Sequence, residues 1–336
     1  MIPPIPHRQA PKILEDREFQ IPRQQSDPRS NWSFRAAIIH GRTTELGWGL
    51  IHDAPREFLL KGHLMELGDR VVLVTGGANG IGRTLCQRIS REKPRGIVIA
   101  DRDLVAAQAV AQEIGAIAME CDVASETDIQ AVVERTRTEF GRIDIVVSNA
   151  GVTAKGGFET PDADWQRLWN INLMAHVYLS RATIPGMVAQ GGGAFVVTAS
   201  AAGLLTEIGS AAYSVTKHGA VAFAEWLSVH YRNQGIKVAC LCPAGVATDF
   251  LDMEDPIHQF LHLSSVTPEY VAECVIEALH NEKFLVLPQP EVAEFFQFKT
   301  QHYDRWLQNF AHVHTRLQKR MERAAIKAAA VPKQAD

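Results

Sequence analysis

The feature that most constrains this chain is a regular alternation of short apolar runs with helical stretches, starting near residue 68. Val71 to Val74 is an apolar run that ends in Thr75-Gly76-Gly77, and Ile81 to Ile89 then reads as a helix. Gly96 to Ala100 reads as the next strand and Leu104 to Ile114 as the next helix. Ile117 to Cys121, Ile143 to Ser148, Ala194 to Thr198, Lys237 to Cys242 and Phe284 to Leu287 continue the strand series, with helical stretches between them. Runs that are apolar throughout suit strands covered on both faces. The alternation predicts an α/β fold that is doubly wound: a central parallel sheet of about seven strands with helices on both sides.

Three zones follow from this pattern. Residues 1–64 form an N-terminal extension, partly irregular, because Pro3, Pro4, Pro6, Pro11, Pro22 and Pro28 prevent a continuous helix or central strand. Residues 65–288 carry the alternation. Residues 289–336 form a helical tail, in which Tyr303, Trp306, Leu307, Phe310, Val313, Leu317 and Met321 recur at helical spacing. That stripe is expected to pack on its own domain or on a sister subunit.

Composition excludes several classes. A net charge of -4 offers no electrostatic case for nucleic acid. No apolar run is long enough for a transmembrane helix, and the N-terminus lacks the apolar centre of a secretory signal. The five cysteines, Cys86, Cys121, Cys240, Cys242 and Cys274, are odd in number and form no CxxC pair. They suit a reducing, cytoplasmic setting and no metal site. Cys240 and Cys242 alternate along one strand and should face the same side.

The turn after the first strand, Thr75-Gly76-Gly77-Ala78-Asn79-Gly80-Ile81-Gly82, opens the first helix. Glycines there permit positive backbone angles and close approach of a pyrophosphate, which the free N–H groups and dipole of a helix N-terminus attract. Asp101 ends the second strand, nineteen residues after Gly82. A carboxylate at that place accepts ribose hydroxyls of NAD and repels a 2′-phosphate. Arg102, beside it, could instead hold the phosphate of NADP. The balance favours NAD, with NADP the alternative.

Tyr213 and Lys217 lie four apart, on one face of a helix. Of the five tyrosines only Tyr213 has lysine at that spacing. A free phenol titrates near ~10, too high for a base at neutral pH. A nearby ammonium and a positively charged nicotinamide would favour the phenolate.

Further stretches stand in order around this pair: Asp122-Val123, Ser148-Asn149-Ala150-Gly151, Asn170-Ile171-Asn172-Leu173, Ser200 and Pro243-Ala244-Gly245-Val246-Ala247-Thr248. With the glycine turn, they make residues 66 to about 288 resemble the classical short-chain dehydrogenase/reductase family. The resemblance implies a Rossmann fold and hydride transfer between a nicotinamide cofactor and a secondary alcohol or ketone. It assigns Asn172, Ser200, Tyr213 and Lys217 to catalysis: Tyr213 as acid/base, Ser200 as donor to the substrate oxygen, Lys217 on the ribose and the tyrosine, and Asn172 holding a water. It assigns the cofactor to Gly76, Asn79, Gly80, Ile81, Gly82, Asp101, Arg102, Asp122, Val123, Asn149, Ala150, Gly151, Pro243, Gly245, Val246 and Thr248, with Tyr213 and Lys217. It also implies a homodimer or homotetramer through helices near 162–187 and 213–233. Asn79 replaces a frequent serine, a change expected to keep a side-chain hydrogen bond, and Ala244 replaces a usual glycine.

The substrate segment should follow Thr248. Phe250, Leu251, Met253, Phe260 and Leu261, with Leu204, Leu205 and Ile208 near the serine, suit a bulky apolar alcohol or ketone. Two other readings stay open: an NADP-linked carbonyl reductase of the same fold, and a cofactor-binding scaffold without turnover.

Overall fold

The computed structural model describes residues 66–248 and 265–329. The N-terminal extension and Phe250, Leu251, Met253, Phe260 and Leu261 lie outside the described residues. Seven parallel strands form one sheet in the order β3-β2-β1-β4-β5-β6-β7. They are β1 Val71–Thr75, β2 Gly96–Asp101, β3 Ile117–Glu120, β4 Ile145–Ser148, β5 Gly193–Thr198, β6 Ile236–Leu241 and β7 Leu285–Val286. Each expected strand is present, with ends shifted by one or two residues. The start of β4 at Ile145, not Ile143, has a tertiary cause: the Asp144 carboxylate takes the Val71 N–H at 2.9 Å, so a side chain replaces one ladder bond.

The helices are α1 Gly80–Ser90, α2 Leu104–Ile114, α3 Glu126–Phe140, α4 Asp162–Trp169, α5 Ala175–Ala189, α6 Ala202–Leu205, α7 Ala211–Tyr231, α8 Pro268–His280, α9 Pro290–Gln301 and α10 Tyr303–Ala329. A π-helical turn, Asn170–Met174, joins α4 to α5. Several ends carry the side chains that helix termini require. The Ser125 and Thr267 hydroxyls accept the N–H groups of Asp128 and Tyr270, and Pro268 opens α8. Gly141 closes α3 in the left-handed region at φ 77°, where a side chain would be strained.

Alternate strand residues feed two cores. Leu73, Val146, Phe195 and Val238 point to the face covered by α3, α5 and α7. Val72, Val74, Ile145 and Val196 point to the face covered by α1, α2 and α8. Both faces being apolar explains why the strands read as unbroken hydrophobic runs. In the tail, Val292 and buried Trp306 join the first core, and Trp306 stacks on Phe310 at 4.9 Å between ring centres. Trp306 and Phe310 of the stripe thus pack on their own chain, whereas Tyr303 and Leu307 are exposed.

The strand order reverses between β2-β1 and β4-β5. At such a switch point the loops leaving adjacent strands part to opposite sides and open a crevice at the C-terminal ends.

Candidate active site

Both halves of that crevice are built from the expected residues. On one side is the glycine turn. Gly76 takes φ 65° and packs so closely on β4 that an added Cβ would lie 2.8 Å from the Cα of Ala150. Gly82 faces the carbonyl of Gly76 and would place a Cβ 2.6 Å from Asn149 Nδ2, so no larger residue fits without moving the turn. α1 starts at Gly80 with no acidic residue in its first turn, leaving the positive end of its dipole uncompensated. Asn79 is exposed and makes no capping bond from its side chain, contrary to the expectation for this position. Its amide faces water, which satisfies it as well as the backbone would.

Asp101 stands at the end of β2 beside this turn. One carboxylate oxygen accepts Ala78 N–H at 2.9 Å and the other Asp103 N–H at 3.0 Å. The carboxylate is therefore oriented by the turn and the start of α2. Arg102 points to solvent, Asp122 is exposed and accepts Ala124 N–H at 2.9 Å, and Val123 is buried. Asn149 ties three strand ends together: its Nδ2 donates to the carbonyls of Thr75 and Gly76 at 3.2 Å, and its Oδ1 accepts from Thr198. Ala150 and Gly151 continue this closure, and the ideal Cβ of Gly151 would stand 3.4 Å from Lys217 Nζ. Ile81 lies in the first turn of α1 and packs against the second core.

On the other side, Ser200 follows β5, and Tyr213 and Lys217 lie one turn apart near the start of α7. All three are at most 8% exposed. Ser200 Oγ accepts Ala202 N–H at 3.1 Å and donates to Pro243 O at 3.4 Å, and its hydroxyl lies near enough to the Tyr213 phenol to favour the ionised form. Lys217 Nζ donates to the Thr198 carbonyl at 2.9 Å and lies 5.6 Å from the centre of the Tyr213 ring. Asn172, on the π-helical turn, spends its amide on structure: Nδ2 donates to Val152 O at 2.9 Å and Thr216 Oγ1 at 3.2 Å, while Oδ1 accepts Val152 N–H. π-turns of this sort recur at functional sites because they offset the helix register by a residue. Pro243 caps the end of β6, and its carbonyl accepts Ala201 N–H at 2.8 Å. Val246 and Val266 form a bridge, and Thr248 closes the described part of this segment.

The electrostatics differ from the expectation. Burial pushes the Tyr213 phenol above its ordinary value, the charge of Glu207 adds to this, and the Ser200 hydroxyl opposes it. Burial also brings Lys217 down to about 8. The ammonium sits over the face of the ring and bonds a carbonyl instead of the phenol oxygen. Desolvation of the phenolate therefore outweighs the cation in the protein by itself.

Some residues that build the site carry no sequence signal of their own. Thr198 anchors both Lys217 and Asn149. His176 bonds Ser148 at 2.5 Å, under the closure of β4. Gln289 reaches the Pro243 turn from the far end of β7. Spacing cannot reveal such contacts, because each partner is distant in the chain. Leu204 and Leu205 are buried in the core, so they support the site from behind, and Ile208 is half-buried. Cys240 and Cys242 do face the same side, 3.7 Å apart at sulfur. Among the described residues no group of three His, Cys, Asp or Glu could hold a metal ion, and no helix is long and apolar enough to cross a membrane. A cavity of about 180 Å³ lies at the opposite, N-terminal end of the strands, where Arg70 and Arg142 are spent on Asp144.

A seven-stranded parallel sheet, a glycine turn at its switch point and a buried Ser-Tyr-Lys constellation across the crevice define a dinucleotide-dependent oxidoreductase. Comparison with known proteins agrees. The family described as short chain dehydrogenase matches residues 70–256. The chain is 31% identical over 251 residues to 1-deoxy-11-beta-hydroxypentalenate dehydrogenase of Streptomyces exfoliatus, covering 72% of this chain and 90% of that protein. It is 30% identical over 217 residues to carbonyl reductase family member 4 of Xenopus laevis, covering 63% of this chain and 92% of that protein. A short chain dehydrogenase/reductase from Burkholderia phymatum, solved in complex with NAD, superposes with a TM-score of 0.67 at 26% identity, covering 72% of this chain and 96% of the other. The chain belongs to the short-chain dehydrogenase/reductase family, and it is an oxidoreductase acting on CH–OH or carbonyl groups with NAD(P).

Proposed function

We propose that this enzyme is an NAD-linked dehydrogenase of a bulky, mostly apolar secondary alcohol, with Asn172, Ser200, Tyr213 and Lys217 as its working residues. The observation that carries this reading is the gathering of Ser200, Tyr213 and Lys217, all buried at the crevice, with the Lys217 ammonium one helical turn on and 5.6 Å from the centre of the phenol ring. Tyr213 takes the proton of the substrate hydroxyl in oxidation and returns it in reduction. Ser200 donates to the same oxygen and steadies the charge that develops there. Lys217, held by Thr198, lies over the phenol ring and would hold the ribose hydroxyls of the cofactor. When bound, the nicotinamide supplies the hydride acceptor and a positive charge that offsets the burial of the phenolate. Asn172 keeps the Val152 segment and α7 in register, so that its own turn can hold a water behind Lys217.

The dinucleotide fits this chain's own residues. Gly76, Asn79, Gly80, Ile81 and Gly82 offer a tight turn at an uncompensated helix start. Asp101, already oriented, would take the ribose hydroxyls, and Asp122, Val123, Asn149, Ala150, Gly151, Pro243, Gly245, Val246 and Thr248 would line the rest. Arg102, exposed beside Asp101, is the one observation favouring NADP. Titration of the purified protein should show tighter binding of NADH than of NADPH by nicotinamide fluorescence, and the reverse order would overturn the Asp101 argument. Tyr213→Phe should keep that binding while losing turnover on secondary alcohols by about 100-fold or more. Tight cofactor binding with no turnover on any alcohol would instead favour a scaffold.

Apolar substrates suit the surroundings of the phenol. Tyr213 packs with Leu168, Ala202 and Ala212, and Val152, Ala154 and Trp165 lie against that cluster. The five cysteines are unpaired thiols, which supports a cytoplasmic setting. Exposed Trp169 on α4 and Val215, Trp226 and Val229 on α7 support assembly into a homodimer or homotetramer.

A further inference from the structure

The turn Pro243-Ala244-Gly245 follows β6 and faces the Ser200 loop. Pro243 O is held by that loop. The next two backbone groups are held by one side chain 45 residues away: Ala244 N–H donates to Gln289 Oε1 at 3.0 Å, and Gln289 Nε2 donates to Gly245 O at 2.7 Å. The orientation of the amide is not in question, since an N–H can face only an acceptor and a carbonyl only a donor. Gln289 is 5% exposed and stands between Pro288 and Pro290, whose rings fix the backbone on either side. It is also the residue that opens α9. The far end of α9 is pinned as well, by buried Lys299, whose Nζ donates to Leu204 O at 2.6 Å in α6, just after Ser200. The tail thus grips both segments that flank the serine.

We infer that Gln289 is a positioning residue for the nicotinamide end of the cofactor: its amide sets the Pro243–Gly245 turn at a fixed distance from Ser200. The inference rests on the functional reading above, in which Pro243, Gly245, Val246 and Thr248 line the cofactor site, and takes the part of it beside Ser200 and Tyr213 as the nicotinamide end. The Ala244 N–H is spent on Gln289, so the clamp acts through the backbone of the turn. The adenosine half of the cofactor belongs to the glycine turn and Asp101, beyond β4, and makes no use of this clamp.

The test compares two ligands on the full-length protein. NADH carries the ring, and ADP-ribose is the same molecule without it. Gln289→Ala should weaken NADH about tenfold while leaving ADP-ribose within about twofold. Gln289→Glu is isosteric and keeps the acceptor for Ala244, but sets an anion against the Gly245 carbonyl. It should show the same selective loss near pH ~8 and regain NADH affinity near pH ~6, as a buried carboxyl protonates and donates in place of the amide. Equal weakening of both ligands in Gln289→Glu would make Gln289 merely structural and overturn the inference, as would unchanged NADH binding. Failure of the wild-type protein to bind either ligand would overturn the functional reading instead.

Discussion

At the scale of single residues, burial is the dominant force on the chemistry. Tyr213, Lys217 and His176 are all at most 6% exposed, and each shifts toward its neutral form. His176 is the clearest case. Its Nδ1 meets Ser148 Oγ, its Nε2 has no partner among the described residues, and burial brings it from 6.5 down to about 3. Between those values the unfolded chain binds a proton that the folded protein refuses, so stability falls as pH drops below 6.5. The slope reaches about 1.4 kcal/mol per pH unit, or about 2 kcal/mol by pH ~5. Urea unfolding at a series of pH values should show this slope in the wild type and a shallower one in His176→Asn. Parallel curves would mean that other groups carry the acid sensitivity. Lys217 has a window of the same sign at higher pH: its stability term rises with pH between about 8 and 10.5, because there too the unfolded state holds the extra proton.

At the scale of elements, what matters is how helices are tied to strand ends. α7 carries Tyr213 and Lys217, and Ser210 starts it by accepting Tyr213 N–H at 3.3 Å. α9 is tied by Lys299, whose ammonium is brought below its ordinary value by burial yet remains bonded to the Leu204 carbonyl. Lys299→Met keeps the aliphatic stem and removes the donor. It should cost about 1–3 kcal/mol in denaturant unfolding, since the Leu204 carbonyl loses its buried partner. Lys319→Met, at an exposed position of α10, should cost almost nothing. Equal effects would show that the Lys299 bond contributes no net stability. The ends of elements were the least legible part of the sequence. Thr267-Pro268 opens α8, and Ser125 and Gly141 bracket α3, because these residues act locally. The start of β4 was misplaced because it depends on Asp144 bonding Val71, 73 residues away.

At the scale of the whole molecule, the sheet order brings together residues that are far apart in the chain. Parallel crossovers place the glycine turn and the Ser-Tyr-Lys group on either side of one switch point. The outer face of α7 shows Trp226 at 49% and Val229 at 76% exposure, one helical turn apart. Large apolar side chains so placed favour a subunit contact. Sedimentation should find the wild type as a dimer or tetramer and Trp226→Ser/Val229→Glu shifted toward monomer. An unchanged assembly would place the contact elsewhere.

The sequence alone determined the class of fold, because unbroken apolar runs between helices satisfy only a sheet covered on both faces. It also marked Tyr213, Lys217 and Ser200 as candidates for the chemistry, since each belongs to a short segment whose order is written along the chain. The tertiary structure decided the balance of forces at that site and the side chains that hold it. Burial, which sets the proton affinities of Tyr213 and Lys217, is a property of the packed surroundings and of no local stretch. The grips of Thr198, Gln289 and Lys299 join segments that become neighbours only when the sheet and the tail have folded.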